Sequence, residues 1–324
     1  MAKRFNLQRS PQDGERASRM QAARDPVYAG AMSDLVPLLA FEAAGWAGPW
    51  PEAAADALEQ GAVVHFPRLV FELQPEERAL VVRGLTVIGA KNISLDPASG
   101  RLGGVDAAIA PVEQLTRMMS RFREMARGLM LGIAPSYGAR LETGRTSFRP
   151  VEIAGRPPSS WRSDDTRLHT DAFPSTPTGG KRILRVFANV DPEGHPRHWR
   201  TGERFEQVAA AYLPRIRPPL PGSAALLRAV RATRSLRSPY DHYMLQLHDM
   251  AKADAAYQAS SPRREIAFGP SVWLVFTDQV PYAALAGRNA LEQTFYLPVA
   301  AQRHPELAPL KVLERLTGRR LAAA

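Results

Sequence analysis

Residues 166–190 read TRLHTDAFPSTPTGGKRILRVFANV, and two patterns in that run decide how the rest of the chain is interpreted. Its last part alternates with a period of two. Leu184, Val186, Ala188 and Val190 share one face, and Ile183, Arg185, Phe187 and Asn189 share the other, as in a strand. Its first part carries His169-Thr-Asp171. In an extended segment residues two apart point to the same side, so this imidazole and carboxylate can converge on one ion.

Outward from that run the texture is a set of short strands separated by Pro and Gly. The clearest are residues 147–153, 182–190, 272–277 and 291–297. Between them, from about 202 to 258, lies an expected helical insert whose last part, YDHYMLQLHDMAKADAAYQ, is amphipathic. Upstream, residues 31–135 read as mostly helical. Pro51 opens one helix with Gly61 near its end, and Pro75 opens another with acids in its first turn. The strongest helix starts at Pro111, with Leu115, Met118, Met119, Phe122, Met125, Leu129 and Met130 on one face. Such a Met-rich stripe is core packing, a brace against a sheet. Residues 1–30 are polar and basic and read as a loosely attached arm. Many strands with a helical front and a helical insert predict an α+β fold. Its core would be a double-stranded β-helix, or jelly roll, over 136–324, with 31–135 packed on it.

Composition removes several classes. The 324 residues hold no cysteine, so disulfides, thiolate nucleophiles, zinc ribbons and iron–sulfur clusters are excluded. Any metal must sit on His, Asp, Glu or backbone oxygen. No Gly-x-Gly-x-x-Gly or Walker loop follows a strand. No apolar run is long enough to span a bilayer, and the first residues lack the apolar stretch of a secretory signal, so the expected location is cytoplasmic. The net charge is +10, carried mostly by Arg, with Lys only at 3, 91, 181, 252 and 311. That field attracts phosphates, carboxylates, nucleic acid or an anionic membrane. No zinc finger, RRM signature or basic heptad run accompanies it, and nucleic acid is not the expected partner.

Seven histidines are candidates for chemistry. His169 and Asp171, completed by a distant third ligand, would form the facial metal site of non-haem Fe(II) oxygenases. The tripeptide alone fits a solvated turn at least as well. His304-Pro-Glu306 is a rival pair near the chain end, and His195 and His198 lie in a Pro/Arg-rich turn with exposure expected. Arg185 sits mid-strand, where a buried charge is costly without an anion. Its neighbours on that face, Ile183 and Phe187, make an interior carboxylate partner credible, although a lone strand Arg is more often at an edge.

The runs RTSFRPVEI, SSWRSDDTRLHTDAFPSTPTGGKRILRVFANVDPEGHPRHWRTGE, YDHYMLQLHDMAKADAAYQ and FTDQVPYAALAGRNALEQTFYLP together resemble the Kdo hydroxylase family over about residues 140–300. The resemblance implies an Fe(II)/2-oxoglutarate-dependent dioxygenase that uses O2 to hydroxylate 3-deoxy-D-manno-oct-2-ulosonic acid on Kdo-bearing lipid A. It also implies iron at His169 and Asp171, with 2-oxoglutarate held by Arg185 and Arg149 and the acidic sugar by Arg197. The substrate would bring the protein into peripheral contact with the inner membrane. One departure stands out: the late strand leads into Val-Pro-Tyr282-Ala, where a third histidine ligand is expected. Three readings stay open. His248 is the third ligand, Tyr282 coordinates or leaves the position to water, or the chain is catalytically impaired and binds an acidic glycolipid.

Overall fold

The computed structural model describes residues 34–81, 85–260 and 262–322; the expected basic arm at 1–30 lies outside them. Eleven strands fall in chain order: β1 Leu38–Ala40, β2 Val63–Phe66, β3 Ile93–Leu95, β4 Leu102–Gly103, β5 Glu142–Arg149, β6 Arg182–Asn189, β7 Arg197–Thr201, β8 Arg264–Phe268, β9 Val272–Phe276, β10 Tyr282–Ala286 and β11 Ala290–Leu297. They form an eight-stranded sheet, ordered β1-β2-β9-β6-β11-β5-β3-β4, and a three-stranded sheet, β10-β7-β8. Every pairing is antiparallel except β1 with β2.

The period of two in β6 sorts two different cores. Leu184, Val186, Ala188 and Val190 face the long helix Val112–Ile133, whose Leu115, Met118, Met119, Phe122, Leu129 and Met130 are fully buried against the large sheet. Met125, expected on that stripe, is only partly buried at its edge. Removing each such side chain from water stabilises by roughly 1.5–3 kcal/mol, so this one helix face is a main source of the fold's stability. Phe187 points the other way, toward the small sheet. There Trp273 stacks on Phe268 and Phe187 with centroids 4.3 and 5.3 Å apart, and the Trp199 edge closes the group. All eight residues of β6 are therefore buried, because both of its faces are covered.

Two expectations need correction. Residues 31–135 are not mostly helical. They contribute four strands, two at each end of the eight-stranded sheet, and β2 is joined to it by its pairing with β9. Short strands of three or four residues carry too few alternations to show a period. The strand expected at 147–153 is instead Glu142–Arg149, ending before Pro150, which cannot donate to the ladder. The insert is helical, with helices at Phe205–Tyr212, Ser223–Ala229, Pro239–Ala253 and Ala255–Ser260. No helix among the described residues is long and apolar enough to cross a membrane.

Candidate active site

His169 and Asp171 are placed by main-chain bonds to the β9–β10 corner. The His169 N–H donates to the Tyr282 carbonyl at 3.1 Å, the Tyr282 N–H returns to the His169 carbonyl at 2.9 Å, and the Asp171 N–H donates to the Thr277 carbonyl at 2.7 Å. The segment is thus extended, and both side chains emerge on one side with His169 Nε2 3.9 Å from Asp171 Oδ1. Nδ1 of His169 lies 2.7 Å from the Arg167 carbonyl. A carbonyl only accepts, so Nδ1 carries the proton and Nε2 keeps its lone pair. Burial, then the Lys252 ammonium and His248, push the His169 pKa down to about 3, which keeps the ring neutral.

The insert brings a second imidazole. Gln258 clamps the start of the segment, accepting from the Leu168 N–H at 2.8 Å and donating to its carbonyl at 3.0 Å. The helix Pro239–Ala253, capped by Ser238, presents His248 edge-on to His169 with ring centroids 5.2 Å apart. His248 Nδ1 donates to Asp249 Oδ1 at 3.0 Å, which again leaves Nε2 as the lone-pair nitrogen. Tyr282 behaves differently. Its hydroxyl donates to Asp171 Oδ1 at 3.2 Å, and burial, followed by the Asp171 charge, raises its pKa well above that of a free phenol. It is a protonated donor to a carboxylate.

His169, Asp171 and Tyr282 line a cavity of about 160 Å³ together with Lys91, Arg149, Asp165, Arg185, Arg197 and Glu292, and His248 stands behind His169 outside that lining. Three of the arginines are in very different circumstances. Arg185 bridges Asp171 at 2.7 Å and Glu292 at 3.0 Å, and Arg149 grips the other Glu292 oxygen at 2.7 Å. Burial would lower the Arg185 pKa, but the two carboxylates outweigh it and the net shift is upward. The carboxylates that Arg185 faces are thus the protein's own. Arg197 makes no ion pair among the described residues, although Glu292, Asp165 and Glu152 act on it from farther off: its NH1 donates to the Gly287 carbonyl at 3.2 Å, and its Nε is buried without a hydrogen bond. Burial and the neighbouring Arg149 cation push its pKa down to about 10. Gly287, at φ 104°, lets the two segments meet this closely, since a Cβ there would lie 2.9 Å from the Arg197 Cα.

The other histidines fall elsewhere. His198 alternates with the buried Arg197 and Trp199 on β7 and is exposed. His195 joins Asp191 and Glu193, which among the described residues are the one set of three such side chains with ligand atoms all within 4.8 Å. His169, Asp171 and His248 are not gathered that closely. The Asp191 turn is already compensated: Arg288 pairs with Asp191 at 3.1 Å and Glu193 at 2.8 Å, and Asp191 Oδ1 accepts from the Glu193 N–H. His304 lies at the surface beside Asp56 and Glu306. Glu292, Asp165 and Lys91 line the cavity without having been singled out in the sequence. Glu292 had a signal, since it shares the Thr294 and Tyr296 face of β11 opposite Leu291, Phe295 and Leu297. Only the register, Glu292 beside Phe187 and Thr294 beside Arg185, shows that its partner is Arg185.

Two imidazoles beside a carboxylate, with cations behind them, are donors of the kind that hold a divalent metal next to an anionic co-substrate. The family model for 3-deoxy-D-manno-oct-2-ulosonic acid (Kdo) hydroxylase matches residues 49–320. The chain belongs to the Kdo hydroxylase family. Among solved structures it is similar to the Kdo hydroxylase KdoO, a non-heme Fe(II) α-ketoglutarate-dependent dioxygenase. The apo form matches at 45% identity and a TM-score of 0.84, over 88% of this chain and 97% of that one. The cobalt(II) complex matches at 45% and 0.84, over 89% and 98%. The complex with α-ketoglutarate and Fe(III) matches at 45% and 0.83, over 88% and 97%. No curated protein matches the chain.

Proposed function

We propose that the protein is an Fe(II)/2-oxoglutarate-dependent dioxygenase that hydroxylates the Kdo sugar of Kdo-bearing lipid A at the cytoplasmic face of the inner membrane. The observation that carries this reading is one cavity holding both the His169–Asp171 pair and a buried arginine, Arg197, that makes no ion pair among the described residues. The two sheets of the protein fit the expected double-stranded β-helix, with β1–β4 from residues 31–135 extending the larger sheet, the helix Val112–Ile133 packed on it and the helical insert joining β7 to β8. Iron, when bound, activates O2 as 2-oxoglutarate is decarboxylated to succinate.

The residues divide the remaining work. His169 and Asp171 hold the metal, and His248 supplies the third donor, because its ring meets His169 while Tyr282 is engaged as a donor to Asp171. Tyr282 and Arg185 fix the carboxylate's orientation, as partners behind a metal ligand do. Arg197 takes a carboxylate of the co-substrate, and Lys91 and Arg149 add charge for the acidic sugar. The reading of a catalytically impaired glycolipid binder rested on Tyr282 at a ligand position, and its bond to Asp171 gives that residue another task. The test is succinate release from 2-oxoglutarate with Fe(II) and Kdo-bearing lipid A. His248→Ala should abolish it and Tyr282→Phe should reduce it mildly. The reverse ranking would move the ligand to Tyr282, and inactivity of the unaltered chain would restore the binder.

A further inference from the structure

One surface feature has no part in this chemistry. Between Glu206 and Asp241 the sequence contains no acidic residue, while Arg215, Arg217, Arg228, Arg231, Arg234 and Arg237 are all basic. The stretch is rooted at both ends by buried Ile216, Thr233 and Ser238, and His242 holds the Arg217 carbonyl. Between those roots no residue from 217 to 232 is buried. The short helix Ser223–Ala229 within it buries none of its side chains. Arg231, at φ 58°, turns the chain back, with the Ala232 N–H closing on the Leu227 carbonyl at 2.9 Å.

The exposed side chains are of two kinds. Leu220, Leu226, Val230 and Leu236 are 77, 64, 63 and 62% exposed, among the most exposed large apolar residues of the molecule. Beside them Arg217, Arg228, Arg231 and Arg234 are exposed, and none makes an ion pair within the described residues. Guanidinium groups interspersed with aliphatic side chains match an interface that is anionic at its surface and hydrocarbon just beneath. A nucleic acid would use the arginines but has no place for four projecting aliphatics, and the projection carries no aromatic side chain for stacking on bases.

We propose that residues 213–238 are the element by which the protein docks on an anionic lipid bilayer. The placement suits a substrate delivered from that surface, and only this purpose rests on the functional reading above. The Arg234 N–H donates to the Ser175 carbonyl at 2.9 Å, and Arg237 reaches the Pro174 carbonyl at 2.7 Å. Arg234, Pro174 and Ser175 line a second cavity, of about 470 Å³, whose inner wall is Arg149, Arg185 and Glu292. The same three residues line the cavity at His169. The docked face therefore borders a cavity that abuts the site across the Arg149–Glu292–Arg185 ion pairs.

The experiment is cosedimentation of the full chain with phosphatidylcholine vesicles, with and without phosphatidylglycerol. The unaltered chain should bind the anionic vesicles and leave the neutral ones. Leu226→Asp/Val230→Asp and Leu226→Ser/Val230→Ser should each weaken that binding at least roughly tenfold with an unchanged melting curve, since both positions are exposed. Undiminished vesicle binding by the two variants overturns the proposal. So does a chain that ignores vesicles but binds DNA or self-associates through residues that these variants remove. Vesicle binding needs neither iron nor 2-oxoglutarate, so a loss of docking with intact turnover, or the reverse, tells which of the two readings fails.

Discussion

Arg185 and Arg197 are both buried arginines beside one cavity, yet their environments assign them opposite roles. Arg185 is balanced by Asp171 and Glu292, so removing its charge leaves the buried Asp171 without its cation and Glu292 with Arg149 alone. Arg185→Met should lower stability by about 3–5 kcal/mol in denaturant unfolding. Arg197 lacks such a partner, and Arg197→Lys should leave stability nearly intact while raising the Michaelis constant for 2-oxoglutarate. Lys keeps the charge and loses the two-pronged geometry, a difference on the order of 1–3 kcal/mol. An unchanged constant would move the co-substrate's partner to another residue. Glu203 offers a test by pH. It is buried, one carboxylate oxygen has no hydrogen bond, and burial raises its pKa above the ordinary glutamate value. The native state then holds this proton when the unfolded chain has released it, so stability falls as pH rises from the unfolded value through the folded one. Glu203→Gln should raise the melting temperature at pH 7 and give no gain below about pH 4; an equal gain at both pH values would mean that burial of the charge is not the cause.

At the scale of elements, the long helix Val112–Ile133 shows how packing overrides propensity. Gly132 lies in its last turn, and a Cβ there would collide with the Trp50 indole ring. Alanine is the better helix former by up to about 1 kcal/mol, but overpacking against a planar ring costs typically 1–3 kcal/mol. Gly132→Ala should therefore destabilise, and a stabilised variant in thermal unfolding would show that Trp50 moves aside freely. The stripe that made this helix legible in sequence, Leu115 through Met130, says that one face is buried. It says nothing of Trp50, which arrives from a loop more than sixty residues away in sequence.

Across the whole molecule, the proposed metal donors come from an extended segment and from the insert helix, which only the native fold brings together. A metal that needs both binds the folded state alone and raises its stability. Cobalt(II), at about one hundred times its dissociation constant, should add about 2.7 kcal/mol to unfolding. His169→Ala and His248→Ala should each abolish that increment, and Asp191→Asn should retain it. An increment that survives in His248→Ala but not in Asp191→Asn would move the metal to the surface turn.

The residue alternation in 182–190, the stripe at 115–130 and the His169-Thr-Asp171 spacing were legible in the sequence because each depends only on local geometry, a period of two or of 3.6 residues. So was the family, through runs that stay contiguous along the chain. The pairing of Arg185 with Glu292, the isolation of Arg197 and the meeting of His248 with His169 were not. Each depends on segments roughly eighty to one hundred residues apart, and strand register and helix placement decide which of them touch. The sequence determined which side chains would be available on each face. The tertiary structure decided which charges were already neutralised, and therefore which arginine was left for a ligand.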